Sequence, residues 1–295
     1  MDRVRLKRLQ ASAQAAGLTA AMTHRGGAVA FRRGNTVLIV KKNHAFTHPD
    51  IITEFDIYFS AVRPVQNGTD QVVDYSTPAW HHLSGSGEDF FFTSVTEGES
   101  INPMYLDAAR LKEGDVVFDL GANCGLATLA FSRAVGPAGR VISLEPDPQN
   151  FDSLSRNVER HGLANVTALQ EGAWDKSTTI RFASDGSMGS YIVEIKAGDW
   201  LGDGTTIKVA SLGDLAARMN LQRVDFVKMD VEGSEHKVVP TLGPFLARYR
   251  PALMIEVHGE GMDKIQAFME AQDYSATPVV QSPEHAFPLL LCRPR

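Results

Sequence analysis

The residues best suited to chemistry gather in a few short stretches. One is Val116-Val117-Phe118-Asp119-Leu120-Gly121-Ala122-Asn123-Cys124-Gly125, an apolar run that ends in a carboxylate and turns at glycine into the helical pattern Leu126 to Val135. Such a turn lets main-chain N–H groups and a helix N-terminus approach an anionic or zwitterionic ligand. The spacing of Gly121 and Gly125 is G-x-x-x-G, neither the dinucleotide G-x-G-x-x-G nor the phosphate loop G-x-x-x-x-G-K-[ST]. Asp119, Gly121, Ala122, Asn123 and Gly125 are the candidate ligand-contacting residues of this loop, although a plain strand-to-helix turn uses glycine too. Glu145 follows about 20 positions later, where a carboxylate can accept hydrogen bonds from two ribose hydroxyls. NAD enzymes use the same device, so Glu145 marks a nucleoside and not a reaction; a solvated carboxylate opening a helix is the plainer alternative.

A denser set lies in Val224-Asp225-Phe226-Val227-Lys228-Met229-Asp230-Val231-Glu232-Gly233-Ser234-Glu235 and in Leu253-Met254-Ile255-Glu256-Val257-His258. Ionisable groups stand there at the ends of strands whose bodies should be apolar. Period-two alternation puts Lys228 and Asp230 on one side, and Glu256 and His258 on one side. Neighbouring strands would bring these groups to one edge, where they could serve acid–base chemistry or form a structural ion-pair network. His258 is the candidate base because its ordinary pKa lies near neutrality, and Asp230 could orient an acceptor or act as the base itself. Gln170-Glu171-Gly172-Ala173-Trp174 makes Glu171 and Ala173 candidates for gripping an adenine ring, which an ordinary loop would explain equally well. No metal site is expected: His44 and His48 are spaced i,i+4 and His81-His82 are adjacent, but no H-E-x-x-H accompanies them. Cys124 at a helix start reads as packing, and Asn102-Pro103-Met104-Tyr105 precedes the glycine loop without a strand leading into it.

These residues need a sheet to position them. From Tyr105 onward strands and helices alternate, which implies a parallel sheet covered on both faces. Strands are expected at Val116–Leu120, Arg140–Glu145, Val166–Gln170, Val224–Met229 and Leu253–Val257. Helices are expected over Pro148–His161, Ser211–Met219, Glu235–Arg248 and Asp263–Gln272. An extra hairpin is marked by Asp185-Gly186 and Gly202 to Gly204. The closing segments Tyr274–Gln281 and Phe287–Cys292, joined at Ser282-Pro283-Glu284, read as an antiparallel pair. Before residue 105 the pattern changes. A helix over Val4–Ala16 precedes a hairpin turning at Gly34-Asn35. Asn43 to Asn102 then reads as short β-like pieces and loops rich in aromatic residues and histidine, a cap packed on the main domain. The domains are thus 1–104, an N-terminal cap and substrate region, and 105–295.

The 295 residues carry a net charge of −6, with basic residues scattered apart from Arg3, Arg5, Lys7 and Arg8. That balance disfavours a nucleic-acid surface. No apolar run reaches the length of a membrane span, the Gln10–Met22 segment is too interrupted for a signal peptide, and two cysteines give no disulfide framework. A cytoplasmic enzyme is the expectation.

With both blocks in view, the chain resembles the FkbM family of S-adenosylmethionine (SAM)-dependent methyltransferases. Gly114 to Gly125, continuing through Leu144-Glu145-Pro146-Asp147-Pro148 and Asn157, carries one part of the match. Lys228-x-Asp230-x-Glu232-Gly233-x-Glu235 with Ile255-Glu256-Val257-His258 carries the more specific part. Cys124 stands where the family usually has an aliphatic residue, and Gly213 where an Asp is common. The resemblance implies an α/β, Rossmann-like methyltransferase fold with a mostly parallel seven-stranded sheet, an antiparallel C-terminal hairpin and an N-terminal α+β cap. It also implies SAM as cofactor and O-methylation of a sugar or natural-product hydroxyl. The partner would be a small-molecule hydroxyl acceptor, with no nucleic acid and no membrane, and homodimerisation is left open. An NAD-dependent oxidoreductase and a non-catalytic SAM-binding subunit are the competing readings.

Overall fold

The computed structural model describes residues 2–23, 26–184, 186–187, 189–192, 204–279 and 288–295. The chain divides into two compact units, Met1–Ile101 and Asn102–Arg295.

The second unit is built on a seven-stranded sheet. Its strands are β1 (Val116–Leu120), β2 (Arg140–Leu144), β3 (Val166–Leu169), β4 (Phe226–Met229), β5 (Ala252–Glu256), β6 (Tyr274–Val279) and β7 (Leu289–Pro294). Their spatial order is 3-2-1-4-5-7-6. Only β7 runs against its neighbours, β5 and β6. Continuous apolar runs suit strands buried on both faces. Phe118, Val227, Leu253 and Ile255 are accordingly among the fully buried residues, packed with Leu215, Val238 and Met269 from the covering helices. The fold has the parallel sheet and antiparallel closing pair that the sequence implied. Asp185 and Gly202-Asp203, where turns are expected, and the joint at Ser282-Pro283-Glu284 lie outside the described residues.

Two helices differ from expectation for identifiable reasons. The run from Glu235 to Arg248 is not one helix but Glu235–Val238, a 3₁₀ turn at Val239–Thr241 and a second helix at Gly243–Tyr249. Pro240 and Pro244 lack the N–H a continuous helix needs, and their rings clash with the preceding turn. Asn102-Pro103-Met104-Tyr105 opens a helix, Asn102–Ala109, with Pro103 tolerated in the first turn. Gly213 does not disturb its helix, because Ser211 caps Leu212–Arg218 by accepting from the Asp214 N–H at 3.1 Å. The extra hairpin belongs to a small four-stranded sheet formed by residues 171–173, 178–183, 191–192 and 205–210.

The first unit holds a five-stranded sheet. Ala28–Arg33 and Thr36–Lys41 form the expected hairpin, Arg33 pairing with Thr36. The stretch Asn43 to Asn102, read as short β-like pieces and loops rich in aromatic residues and histidine, instead opens with three short helices, Lys42–Thr47, Asp50–Thr53 and Phe55–Ser60. Their apolar residues Ile51, Phe55 and Tyr58 are buried, so packing overrides local propensity here.

Candidate active site

Register fixes the geometry of the strand ends. Asp119 of β1 pairs with Ser143 of β2 on one side and Lys228 of β4 on the other. Met229 pairs with Leu120 and with Ile255 of β5. The glycine loop, Asp230 and Glu256 therefore leave the sheet along one edge, the carboxyl edge at which open α/β sheets take ligands.

The loop after β1 is closed by its own hydrogen bonds. Gly121 N–H and Ala122 N–H both donate to Leu144 O, at 3.0 and 2.9 Å, and Gly125 N–H donates to Ala122 O at 2.8 Å. Asn123 N–H donates to Glu145 Oε2 at 2.8 Å, and Cys124 N–H to Asn123 Oδ1 at 2.6 Å. The amides expected to face a ligand are thus engaged within the chain. The glycines answer a different demand. Gly121 has φ +73°, and a Cβ there would lie 1.7 Å from Asp230 O; Gly125 has φ +95°, and its Cβ would lie 2.7 Å from Leu154 Cδ1. Close approach by the protein's own chain selects both residues.

Asp119 has no exposure and sits beneath the loop. Its Oδ2 accepts from Thr128 Oγ1 at 2.6 Å, and its Oδ1 lies 3.5 Å from Lys228 Nζ. Glu145 is buried as well. Its oxygens accept one main-chain N–H each, from Asn123 and from Asp147, both at 2.8 Å. Burial is the strongest influence on Glu145 and pushes its pKa up to about 8, against the main-chain donors that favour the charged form. Glu171 and Ala173 lie in the small sheet, entered directly from β3; Glu171 Oε2 accepts from Arg218 at 2.9 Å and Ala173 is buried.

Lys228 is buried with its Nζ 2.7 Å from Gly121 O and 3.5 Å from Asp230 Oδ2. Burial, the largest influence, opposes its charge, but Asp230, Asp119 and Glu256 outweigh it and raise the ammonium's pKa. This lysine was seen in the sequence only as one member of an ionic set. In the structure it joins the glycine loop to the end of β4.

His258 stands among carboxylates. Its Nδ1 lies 3.5 Å from Glu235 Oε1, and its Nε2 lies 3.8 Å from Glu232 Oε1 and 3.7 Å from Glu256 Oε1. Burial again acts most strongly and lowers the pKa, yet the Glu235 interaction and the charges of Glu232 and Asp230 carry it up to about 9. The near-neutral value assumed from the residue type does not hold here. Asp230, Glu256 and His258 each present one ligand atom within 4.8 Å of the others, a grouping that could hold a metal ion. The charges already facing these carboxylates are the Lys228 ammonium and the His258 ring.

Residues 119–276, more than half of the chain, match the model of the methyltransferase FkbM domain. The chain belongs to the FkbM methyltransferase family. Its methyltransferase domain is therefore of the SAM-dependent kind. Hexuronic acid methyltransferase AglP of Haloferax volcanii is 28% identical over 197 residues, covering 63% of this chain and 77% of AglP. Methyltransferase 1 of Beauveria bassiana is 29% identical over 45% of this chain. A probable cobalt-precorrin-6B C(15)-methyltransferase (decarboxylating) of Saccharolobus solfataricus is 34% identical over 25% of it. The chain spans 60% and 37% of the lengths of these last two relatives. The solved structure of methyltransferase FkbM from Methylobacillus flagellatus superposes with a TM-score of 0.46 at 16% identity, over 82% of this chain and 60% of that one.

The residues present fit SAM by the chemistry of their acceptors. Each Glu145 oxygen spends one lone pair on a main-chain N–H, which leaves acceptor capacity for two ribose hydroxyls. Asp119, Asp230 and Glu256 beside the loop suit the field of a cationic cofactor.

Proposed function

We propose that this protein O-methylates a small molecule, a sugar or a natural-product intermediate, with Asp230 and His258 as the residues that handle the acceptor hydroxyl. The convergence of Asp230, Glu256 and His258 at the ends of adjacent strands, beside the glycine loop, carries this reading. The similarity to AglP, a hexuronic acid methyltransferase, favours a sugar acceptor. SAM, when bound, supplies an electrophilic methyl group. The protein's part is to hold the hydroxyl in line and remove its proton. Neutral His258 takes that proton, Asp230 orients the hydroxyl, and the surrounding carboxylates stabilise the imidazolium that results. A base with a pKa of about 9 is scarce in its neutral form at pH 7 but strong when present. Methyl transfer should therefore rise with pH, reach half of its maximum near pH 9 and level off above it.

Asp119, Gly121, Ala122, Asn123, Gly125, Glu145, Glu171 and Ala173 are proposed to form the cofactor site, Asp119 by supporting the loop from beneath. Residues 1–104 are proposed to select the acceptor; they lie outside the family-matched region. Cys124 and Cys292 are buried free thiols, which suits a cytoplasmic setting. No described helix is long and apolar enough to cross a membrane.

The test is calorimetry with SAM and S-adenosylhomocysteine, followed by a screen of glycosides and uronic acids for acceptor-dependent release of S-adenosylhomocysteine. A folded protein that binds neither nucleoside would sink the proposal. With an acceptor in hand, His258→Ala and Asp230→Asn should each slow methyl transfer by roughly 10²–10⁴-fold while nucleoside affinity is kept. Unchanged rates in both would remove these residues from the mechanism.

A further inference from the structure

Glu235 is the one carboxylate around His258 with no exposure at all. A carboxylate so placed is costly unless its lone pairs are used. Its Oε2 accepts from Gly233 N–H at 2.9 Å, across the turn in which Glu232 and Gly233 have positive φ. Its Oε1 reaches 23 residues along the chain to accept the main-chain N–H of His258 at 2.7 Å. The same oxygen lies 3.5 Å from His258 Nδ1. One atom thus addresses both the main chain and the ring of a single residue. The next residue completes the grip: His236 Nε2 lies 2.7 Å from His258 O. Consecutive side chains at the start of one short helix therefore hold the His258 peptide from its N–H and its C=O sides.

Such a double hold is more than the strand end requires, because β5 is already paired to β4 and β7. It is what a base needs if its ring is to stay within a few tenths of an ångström of one position. We propose that Glu235 is the positioning residue for His258, fixing its ring and keeping its proton on Nδ1 so that Nε2 is the atom that works. The proposal rests on the reading of His258 as the base. At 3.5 Å the pair is an ion-pair contact rather than a hydrogen bond, and a carboxylate facing one ring nitrogen favours the tautomer that carries its hydrogen there. The other ionisable groups around the ring are Asp230 and Glu232 from the turn after β4, Glu256 from β5, and His236 beside Glu235; Lys228 stands behind Asp230. Glu235 differs from them in facing Nδ1 and in holding the main chain as well.

The experiment is ¹⁵N NMR of the full chain, labelled at histidine, with S-adenosylhomocysteine added and the His258 signal identified by its loss in His258→Gln. In the wild type, above the titration of His258, the neutral ring should carry its hydrogen on Nδ1; hydrogen on Nε2 overturns the proposal without recourse to any Glu235 variant. In Glu235→Gln the titration midpoint should fall by about one pH unit or more, with S-adenosylhomocysteine affinity retained. A folded variant that binds the nucleoside and leaves both midpoint and tautomer unchanged makes Glu235 a structural residue only. Failure of the wild type to bind S-adenosylhomocysteine counts against the methyltransferase reading and leaves the tautomer to judge Glu235 separately.

Discussion

The loop after β1 and the ends of β4 and β5 adjoin on the same sheet edge, yet they are built from opposite materials. The loop is held largely by hydrogen bonds of its own main-chain amides and by two glycines that admit its own neighbours. The β4–β5 ends are held by charge: Lys228 between Asp119 and Asp230, and His258 among Glu232, Glu235 and Glu256. Main-chain bonds and steric fit set a shape but no reactivity. Opposed charges in partial burial set protonation states, which is what acid–base chemistry draws on. Lys228 is where the two systems meet, since its ammonium donates to Gly121 O and pairs with both Asp119 and Asp230.

Gly121→Ala should break the loop outright. Its Cβ would lie 1.7 Å from a backbone oxygen, at φ +73°, and neither atom belongs to a side chain that can swing away. A loss above about 4 kcal/mol is expected, read as a lower chemical-denaturation midpoint together with lost S-adenosylhomocysteine binding. A variant of wild-type stability would show that the loop and β4 are not pressed together. Lys228→Met tests the junction. It leaves the buried Asp119 carboxylate without its counter-ion, which should cost about 3 kcal/mol near pH 7. Lys228→Arg, which keeps the positive charge, should lose less in chemical denaturation. An equal loss in both variants would mean that Lys228 contributes packing and not charge.

The same division explains what could be read from the sequence. The positions of the strands and the glycine loop were legible because apolar runs, acidic strand ends and glycine spacing leave local marks at Val116–Gly125 and Val224–Glu235; the order of the strands in the sheet leaves none. The family block was legible too, since it is contiguous. Charge states were not. His258 looked like a near-neutral base because nothing in Val257-His258 reveals that Glu235, 23 residues earlier, returns to it. Glu145 reads in the sequence as a ribose acceptor or as a solvated carboxylate opening a helix, and nothing local reveals that it is buried under two main-chain donors. The helix broken at Pro240 and Pro244 is legible in those prolines, whose missing N–H groups outweigh the apolar periodicity around them. The short helices between Lys42 and Ser60 were not, because their form depends on what Ile51, Phe55 and Tyr58 pack against.

The finest test of the comparison is whether Glu145, which belongs to the loop's hydrogen-bond system, behaves like a charge or like a neutral acceptor. Its pKa is held up near 8 against an ordinary value of 4.5. The folded state therefore binds a proton that the unfolded state has released, so Glu145's contribution to stability is greatest below about pH 4.5 and falls as the pH rises towards 8. Ribose hydroxyls donate hydrogen bonds and so favour the ionised carboxylate. Binding at pH 7 must then expel a proton, and affinity should rise with pH until Glu145 is ionised without help. The expected gain between pH 7 and pH 9 is about tenfold, seen in calorimetry as proton release that scales with the ionisation enthalpy of the buffer. Glu145→Gln should bind more weakly and lose this dependence. Affinity that stays flat from pH 6 to 9 in the wild type would mean that Glu145 is already ionised before the nucleoside arrives. The loop would then carry a fixed charge of its own, and the contrast between the two halves of the edge would weaken accordingly.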